Sequence, residues 1–412
     1  MARASPPDPA CCFTNWAFTN WAGNVSARPA AIWSPRSEDE LAEMLRRKPR
    51  RRVRAIGSGH SFTPLGVTGG ALVRLDALQG VIAIERAART AEVWAGTPLH
   101  ALGEPLWDAG LSLENMGDID RQTIAGAIST GTHGTGAGLG SLSTQVTALH
   151  LLTADGGALW SGDGERSDLP LAAAALSLGA LAVITRARLR LVPAYRLHER
   201  MWKVGFDQCL GELEERFSQH RHFEVFWFPQ ADLAAMKTLD LTERDAEPSL
   251  HYDGERFEGE RIGPAHRVLP SARERRFVEM EYSVPAAAGP ACFVELRRLM
   301  RERHPAVRWP IEYRRVAADD LWLSPAHQRE VVTLSIHQGR GLPYRRFFAD
   351  AEALFRAHDG RPHWGKLHTL RAADLEGLYP RWASFRNVRR RLDPTGRFLN
   401  GHLRALLEPR AS

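Results

Sequence analysis

Two groups of residues in this chain have types and spacing that could do chemistry. The first is Gly57-Ser58-Gly59-His60-Ser61-Phe62, which follows the β-rich run Val53-Arg54-Ala55-Ile56 and precedes the turn-like Thr63-Pro64-Leu65-Gly66. Two glycines one residue apart, beside small hydroxyl residues, let a backbone turn sharply and aim consecutive N–H groups at one anion. A strand feeding such a loop is suited to holding phosphate. The run departs from the dinucleotide fingerprint, because no third glycine follows at the right spacing and no amphipathic helix offers its N-terminus. His60 is the unusual member, since phosphate needs only backbone there. A lone histidine is more often a satisfied core residue, but one inside a glycine loop favours a role at a ligand.

The second group lies on three strand-like stretches far along the chain. In 307–316, period-two geometry puts Glu312 and Arg314 on one face and Trp309, Ile311 and Tyr313 on the other. In 331–337, Ser335 and His337 share a face, and in 361–370 Lys366 and His368 share one with Trp364. A carboxylate and a guanidinium two residues apart are ordinarily a surface ion pair. If all three faces converge on the glycine loops, they form a pocket of donors and acceptors suited to a polyhydroxylated substrate.

The elements that must position these groups divide the chain. Ser37 and Glu40 make a capping box for a helix with Leu41, Met44 and Leu45 on one face. Short β-rich runs at 72–75, 81–85 and 91–95 follow the glycine loop, and a helix near 99–109 stops at Gly110. A second glycine-rich region then runs from Asn115-Met116-Gly117-Asp118 through Ile124 to Gly136, with seven glycines between Gly117 and Gly140. Too little side chain is present for a packed element, so the expectation is a loop laid against a large flat ligand. A hairpin, 146–153 with 158–160 around Asp155-Gly156-Gly157, a helix after Asp168 and a strand at 182–191 close this part near Pro193.

Beyond Pro193 the pattern changes. Residues 276–284 alternate, with Val278, Met280, Tyr282 and Val284 inward and Glu279, Glu281 and Ser283 outward, which reads as an antiparallel strand with one wet face. A strand at 223–228 and a helix at 293–303 with Phe293, Leu296, Leu299 and Met300 on one stripe complete an α+β second domain. The expected division is 1–14 disordered, 15–194 first domain, 195–375 second domain, and 376–412 packing back on the first.

Composition removes several classes of function. A length of 412 residues, 25% charged and 44% hydrophobic, is that of a soluble globular protein with room for more than one domain. Cys11, Cys12, Cys209 and Cys292 make neither metal spacing nor a disulfide framework. No apolar run after Met1 serves as a signal peptide, and the most apolar segment, 169–184, is short for a membrane span. A cytoplasmic protein without metal is expected. The net charge of +6 is concentrated at Arg46-Arg47-Lys48-Pro49-Arg50-Arg51-Arg52, which lacks interleaved aromatics and reads as a solvated helix end rather than a nucleic-acid patch.

Taken together, Gly57-Ser58-Gly59-His60-Ser61-Phe62, Glu114-Asn115-Met116-Gly117-Asp118-Ile119-Asp120 and 126–136 resemble the FAD domain of the vanillyl-alcohol-oxidase superfamily. Within it the chain is similar to the aldonolactone and alditol oxidases. Phe226-Trp227-Phe228-Pro229, Met280-Glu281-Tyr282, His363-Trp364-Gly365-Lys366, Tyr379-Pro380 and the 392–400 segment extend the resemblance over roughly 20–407. It implies a two-domain α+β flavoprotein, with an FAD-binding domain followed by an antiparallel-sheet substrate domain. His60 would be joined covalently to the flavin 8α-methyl carbon, with Ile56, Gly57, Ser58, Gly59 and Ser61 around the pyrophosphate and ribityl chain. Thr123, Gly126, Ala127, Ser129, Thr130, Thr132, His133 and Gly134 would share that task, Ile184 would lie near the ring or adenine, and Asn400 would also serve the cofactor.

Glu312, Arg314 and Lys366 would be the catalytic set, with Asp118 and His337 at the substrate and Lys366 near the flavin N1–C2=O edge. Gly117 would lie beside flavin C4a, where glycine leaves room for O2. Asp118 stands where alditol oxidases have serine and His337 where they have threonine, which weakens the alditol reading. The resemblance thus implies oxidation of a secondary hydroxyl of a sugar lactone, by O2 and with release of hydrogen peroxide. Glu312, His337 and His368 are the candidate bases.

Overall fold

The computed structural model describes residues 17–48, 50–162, 169–247, 250–271 and 275–408. The expectation for residues 1–14 lies outside these.

The glycine loop leaves the strand Val53–Ile56, which pairs in parallel with Ala71–Arg74. On its other side Ala71–Arg74 pairs in parallel with Ala31–Trp33. The helix Glu38–Arg47 precedes this strand, and Ser37 Oγ accepts from the Glu40 N–H at 3.1 Å as the spacing predicts. The other half of the capping box differs, because the Glu40 carboxylate accepts from the Arg36 N–H instead. Arg54 is buried on the strand and donates to the carbonyls of Leu65, Leu178, Gly179 and Phe398. One side chain thus fastens the strand under the glycine loop to three distant segments. Burial without a carboxylate partner pushes its pKa down to about 10.

A five-stranded antiparallel sheet lies beside it, in the order Ala158–Gly162, Val146–Leu152, Val183–Arg190, Thr90–Trp94, Val81–Glu85. The expected hairpin is present, turning at Gly156 with φ +79°. The second glycine region departs from expectation, since Ile124–Thr130 is a helix. Thr123 caps it by accepting from Gly126 N, Gly131 ends it in the left-handed region at φ +75°, and Ile124, Ala127 and Ile128 are fully buried. Small residues here do pack as an element, because the helix needs only one thin apolar face.

The chain then builds a nine-stranded sheet from residue 196 onward. Its middle rungs, in order, are Leu233–Thr242, His222–Phe228, Ile311–Val316, Val331–Gly339 and Phe277–Pro285, and the pairs are antiparallel. One face carries the helices Phe206–Gln219, Gly289–Arg303 and Arg345–Ala357. Tyr313 meets Phe293 at 5.1 Å and Tyr282 stacks on Phe355 at 5.3 Å on that face. Each large side chain so buried stabilises the layer by about 1.5–3 kcal/mol.

Period two then forces Glu312, Arg314, Glu279 and Glu281 onto the opposite face. That face is not wet, for Glu279 is 4% and Glu281 1% exposed. The expected strand at 361–370 shrinks to Arg361–Pro362, after which the chain turns through 363–367.

The C-terminal segment reaches back to the start. Arg397 donates to the carbonyls of Lys48, Arg51 and Ala154, and Asp393 accepts from the Arg397 and Phe398 N–H groups. Among the described residues, no helix is long and apolar enough to cross a membrane.

Candidate active site

The glycine loop and the sheet's charged face enclose two adjoining cavities. The first, of about 120 Å³, is walled by Ile56–Ser61 and by Thr123, Gly126, Ser129, Thr130 and Ile184. The second, of about 430 Å³, is walled by Gly117, Asp118, Thr132, His133, Glu279, Glu281, Trp309, Glu312, Arg314, His337, His363 and Lys366. His60, Ser61, Gln122 and Thr130 belong to both walls, so His60 sits at the junction.

The first cavity is a backbone cradle. A Cβ at Gly57 would come within 2.1 Å of Thr123 Oγ1, and Gly59 has φ +68°, so both positions require glycine. Residues 20–24 also belong to this cradle. The Asn20 amide donates to Ser61 O, the Asn24 amide donates to Phe62 O, and Trp21 accepts no less a role, stacking on His60 at 5.8 Å. A tight glycine cradle beside a helix N-terminus, opening on a histidine, fits the pyrophosphate and ribityl portion of FAD.

The second cavity is built of paired charges. Glu281 Oε1 accepts from His133 Nε2 at 2.7 Å, while its Oε2 accepts from Arg314 Nη2 and Ser335 Oγ, both at 2.6 Å. Glu312 Oε2 lies 3.3 Å from the same Arg314 Nη2. One residue pair along the strand, Glu279 accepts from Lys366 Nζ and stands 3.7 Å from His337 Nε2, whose Nδ1 bonds Pro310 O.

Burial alone would raise both strand carboxyls. For Glu281 the positive field of His133 and Arg314 outweighs burial and holds it well below the usual range. Lys366 and His337 do the same for Glu279. Burial would lower Arg314, but Glu312, Glu281 and Asp118 around it raise it further. His337 is raised, its burial outweighed by the hydrogen bond and charge of Glu279. His363 is pushed down to about 3 by burial, and its Nδ1 accepts from the Gly365 N–H.

The groups His133–Glu281–His363 and Glu279–Glu312–His337 each bring ligand atoms within 4.8 Å of one another. Arg314 and Lys366 already occupy the two central carboxylates, so organic oxygen atoms suit this cavity better than a cation.

Most of the sequence-predicted residues meet at these walls. Three do not line either cavity. Ala127 points into the core, Gly134 packs on Met116 O and the Asn115 side chain, and Asn400 caps the helix Gly401–Leu407. The candidate base His368 is also removed, lying half-buried beside Trp364 and His402 because the strand expected there is a turn. Trp309 moves the other way, onto the cavity wall next to Phe277. Glu279 and Glu281 were assigned to solvent. The signal that could have found them is two glutamates at i and i+2 in an otherwise apolar strand.

Two family models and several known proteins match the chain. The FAD binding domain family matches residues 29–162, and the D-arabinono-1,4-lactone oxidase family matches 187–259 and 250–406. The chain is 36% identical to an L-gulono-1,4-lactone dehydrogenase of Mycobacterium tuberculosis, over 95% of this chain and 99% of that one. It is 33% identical to an alditol oxidase of a Streptomyces species, over 95% and 99% of the two chains. The mouse L-gulonolactone oxidase is 28% identical over 94% and 97%. The fold matches the crystal structure of cholesterol oxidase from B. sterolicum with a TM-score of 0.83, covering 99% of this chain and 100% of that chain at 17% identity. The fold is therefore that of a two-domain vanillyl-alcohol-oxidase-type flavoprotein. The chain belongs to the D-arabinono-1,4-lactone oxidase family of FAD-dependent oxidoreductases.

Proposed function

We propose that this chain oxidises a secondary hydroxyl of a sugar 1,4-lactone, of the L-gulono or D-arabinono type. The observation that carries the reading is the convergence of Glu312, Arg314, Lys366 and His337 on a cavity that shares His60 with the glycine cradle. FAD, when bound, supplies the two-electron acceptor.

Arg314 binds the reacting oxygen and a neighbouring hydroxyl or lactone carbonyl, since a guanidinium offers five fixed donors. Glu312 orients Arg314 or accepts from a substrate hydroxyl. Lys366, held by Glu279, places positive charge where negative charge develops. Asp118 and His337 complete the polyol-binding wall. In this reading His60 carries the flavin covalently. Residues 15–194 hold the cofactor and 195–375 the substrate, while 376–412 braces the first part through Arg397 and Asn400.

Anaerobic rapid-mixing reduction by L-gulonolactone, D-arabinonolactone and xylitol tests the substrate. Faster reduction by either lactone is expected, and a preference for xylitol transfers the chain to the alditol reading. Acid precipitation tests the linkage: yellow colour stays in the pellet if His60 is bonded to flavin, and leaves with the supernatant if it is not.

The electron acceptor has two readings. Gly117 lines the cavity without a side chain, which supports approach of O2 and an oxidase producing hydrogen peroxide. The Mycobacterium relative is named a dehydrogenase, which supports another acceptor. Reduced enzyme that reoxidises within seconds in air favours O2, whereas persistence in air with rapid reoxidation by cytochrome c favours the second.

A further inference from the structure

The role of Arg314 leaves one residue unexplained. Glu281 is almost fully buried, yet its carboxylate is pulled down in pKa and makes three hydrogen bonds to three separate segments. His133 comes from the loop after the helix Ile124–Thr130, Arg314 from the strand Ile311–Val316, and Ser335 from Val331–Gly339. His133 is fixed from its other side as well, because Nδ1 meets Gly134 O at 2.8 Å. His363 packs on the His133 ring at 5.7 Å and completes the surround.

The contacts on Arg314 are one-sided. Glu281, Glu312 and Ser335 all meet Nη2, while the buried Nε has no hydrogen-bond partner among the described residues. A buried guanidinium N–H without an acceptor is costly. Nη2 is thus the atom by which the guanidinium is held.

We propose that Glu281 is a positioning residue: it clamps Arg314 by Nη2 and ties it to His133, so that the guanidinium is held on the cavity wall at a fixed distance from the flavin-binding loops. The inference rests on the reading of Arg314 given above. Glu281 does not touch substrate. It fixes the guanidinium beside Glu312 and joins the two domains' contributions into one unit. Misplacement of a binding group by about 1 Å can cost on the order of 10²-fold in rate.

The test is a double-mutant cycle on the holoenzyme with E281Q, R314A and the pair, following anaerobic flavin reduction by L-gulonolactone. E281Q is expected to slow reduction by roughly 10–100-fold, with native flavin content and melting temperature within the native range. The pair is expected to be no slower than R314A alone, because a clamp has nothing left to position. Calorimetric titration of the lactone into pre-reduced enzyme, which cannot turn over, supplies a second readout and should show weaker binding in E281Q. Should E281Q destabilise the fold, S335A removes one arm of the same clamp and is expected to give a smaller effect of the same kind. Multiplicative slowing in the pair, or native reduction and binding in E281Q and S335A, overturns the inference. Native reduction in R314A overturns the reading of Arg314 instead, so the two failures are distinguishable.

Discussion

The two cavities are made in opposite ways. The cradle at 57–61 is backbone and glycine, held from outside by Asn20, Asn24 and Thr123. The wall at Glu279, Glu281, Glu312, Arg314 and Lys366 is side chain, drawn from three segments and paired within itself. A backbone cradle recognises shape and phosphate charge, and it fails by steric intrusion. A charged wall recognises and polarises, and it fails when one partner is removed and the other is left buried without compensation. The comparison teaches where each kind of damage should appear: in flavin retention for the first, in reaction rate for the second.

The largest expected effect tests the wall. Arg314→Ala should slow flavin reduction by ~10²–10³-fold, the scale for one preorganised donor, while leaving the cofactor in place. Arg314→Lys should be nearly as damaging, because an ammonium lacks the guanidinium fork. Rapid mixing measures the rate and absorbance measures the flavin. A native rate in flavin-loaded Arg314→Ala would sink the distinction between the two cavities.

Next comes the cradle. Gly57→Ala drives a methyl against Thr123 Oγ1, and overpacking of this kind costs about 1–3 kcal/mol. The flavin-to-protein ratio should fall, while molecules that keep flavin reduce it at the native rate. Gly57→Ala with Thr123→Ser leaves the hydroxyl in the way, whereas Thr123→Ala relieves it. Recovery of flavin only with alanine would identify the clash as the cause.

This contrast also governs what could be read from the sequence. The cradle was legible because glycine spacing is local, and His60 announces itself by being the wrong residue for phosphate alone. Strand parity placed Glu312 and Arg314 on one face correctly, since that pattern is also local. It could not say that the partner face of 276–284 looks into a cavity rather than water, so Glu279 and Glu281 were misassigned. That distinction depends on which strands become neighbours, and Phe277–Pro285 pairs with Val331–Gly339, some 50 residues away. The helix Ile124–Thr130 was hidden for another reason. Its capping Thr123 and terminating Gly131 are ordinary signals, but glycine-rich composition masked them. His368 was lost because a tight turn at 363–367 breaks the alternation that had placed it beside Lys366.

The third effect is on stability and separates the wall from the core behind it. Burial pushes His222 and His368 down to about 4, and His368 also faces the charge of Arg371. Both are neutral when folded and take up a proton near pH 6.5 when unfolded. The unfolded state therefore binds more protons between about 6.5 and 4, and stability is lost as pH falls through that window, by up to ~1.4 kcal/mol per pH unit for each group. Glu279 and Glu281 are held low, so their contribution is present above the ordinary glutamate range and is lost only below it. His337 has the opposite sign: its pKa is raised, and its contribution is lost as pH rises through that value. Denaturant midpoints of His368→Leu against wild type, from pH 4.5 to 6.5, should differ in slope by one proton. Parallel slopes would show that His368 is solvated in the folded state.

The smallest expected effect on chemistry concerns Asn400, whose resemblance-based role was at the cofactor. Its Oδ1 caps the final helix by accepting from Leu403 N at 2.8 Å, and its amide donates to Pro64 O and Val67 O, each at 2.8 Å. These carbonyls belong to the chain just beyond the glycine loop, so Asn400 supports the cradle from behind without facing it. Losing the cap should cost about 0.5–2 kcal/mol. Asn400→Ala should therefore melt earlier than wild type, yet reduce its flavin at an unchanged rate and keep its yellow colour below the transition. Asn400→Asp separates the two halves of the role, because it retains the capping oxygen and loses the amide donors. If stability tracks the cap alone, Asn400→Asp behaves as wild type; if the carbonyls matter, it melts earlier because a carboxylate then faces them. Loss of flavin from either variant at a temperature where the protein is folded would return Asn400 to the cofactor site, and would mean that the cradle depends on its outer support as closely as Arg314 depends on its buried partners.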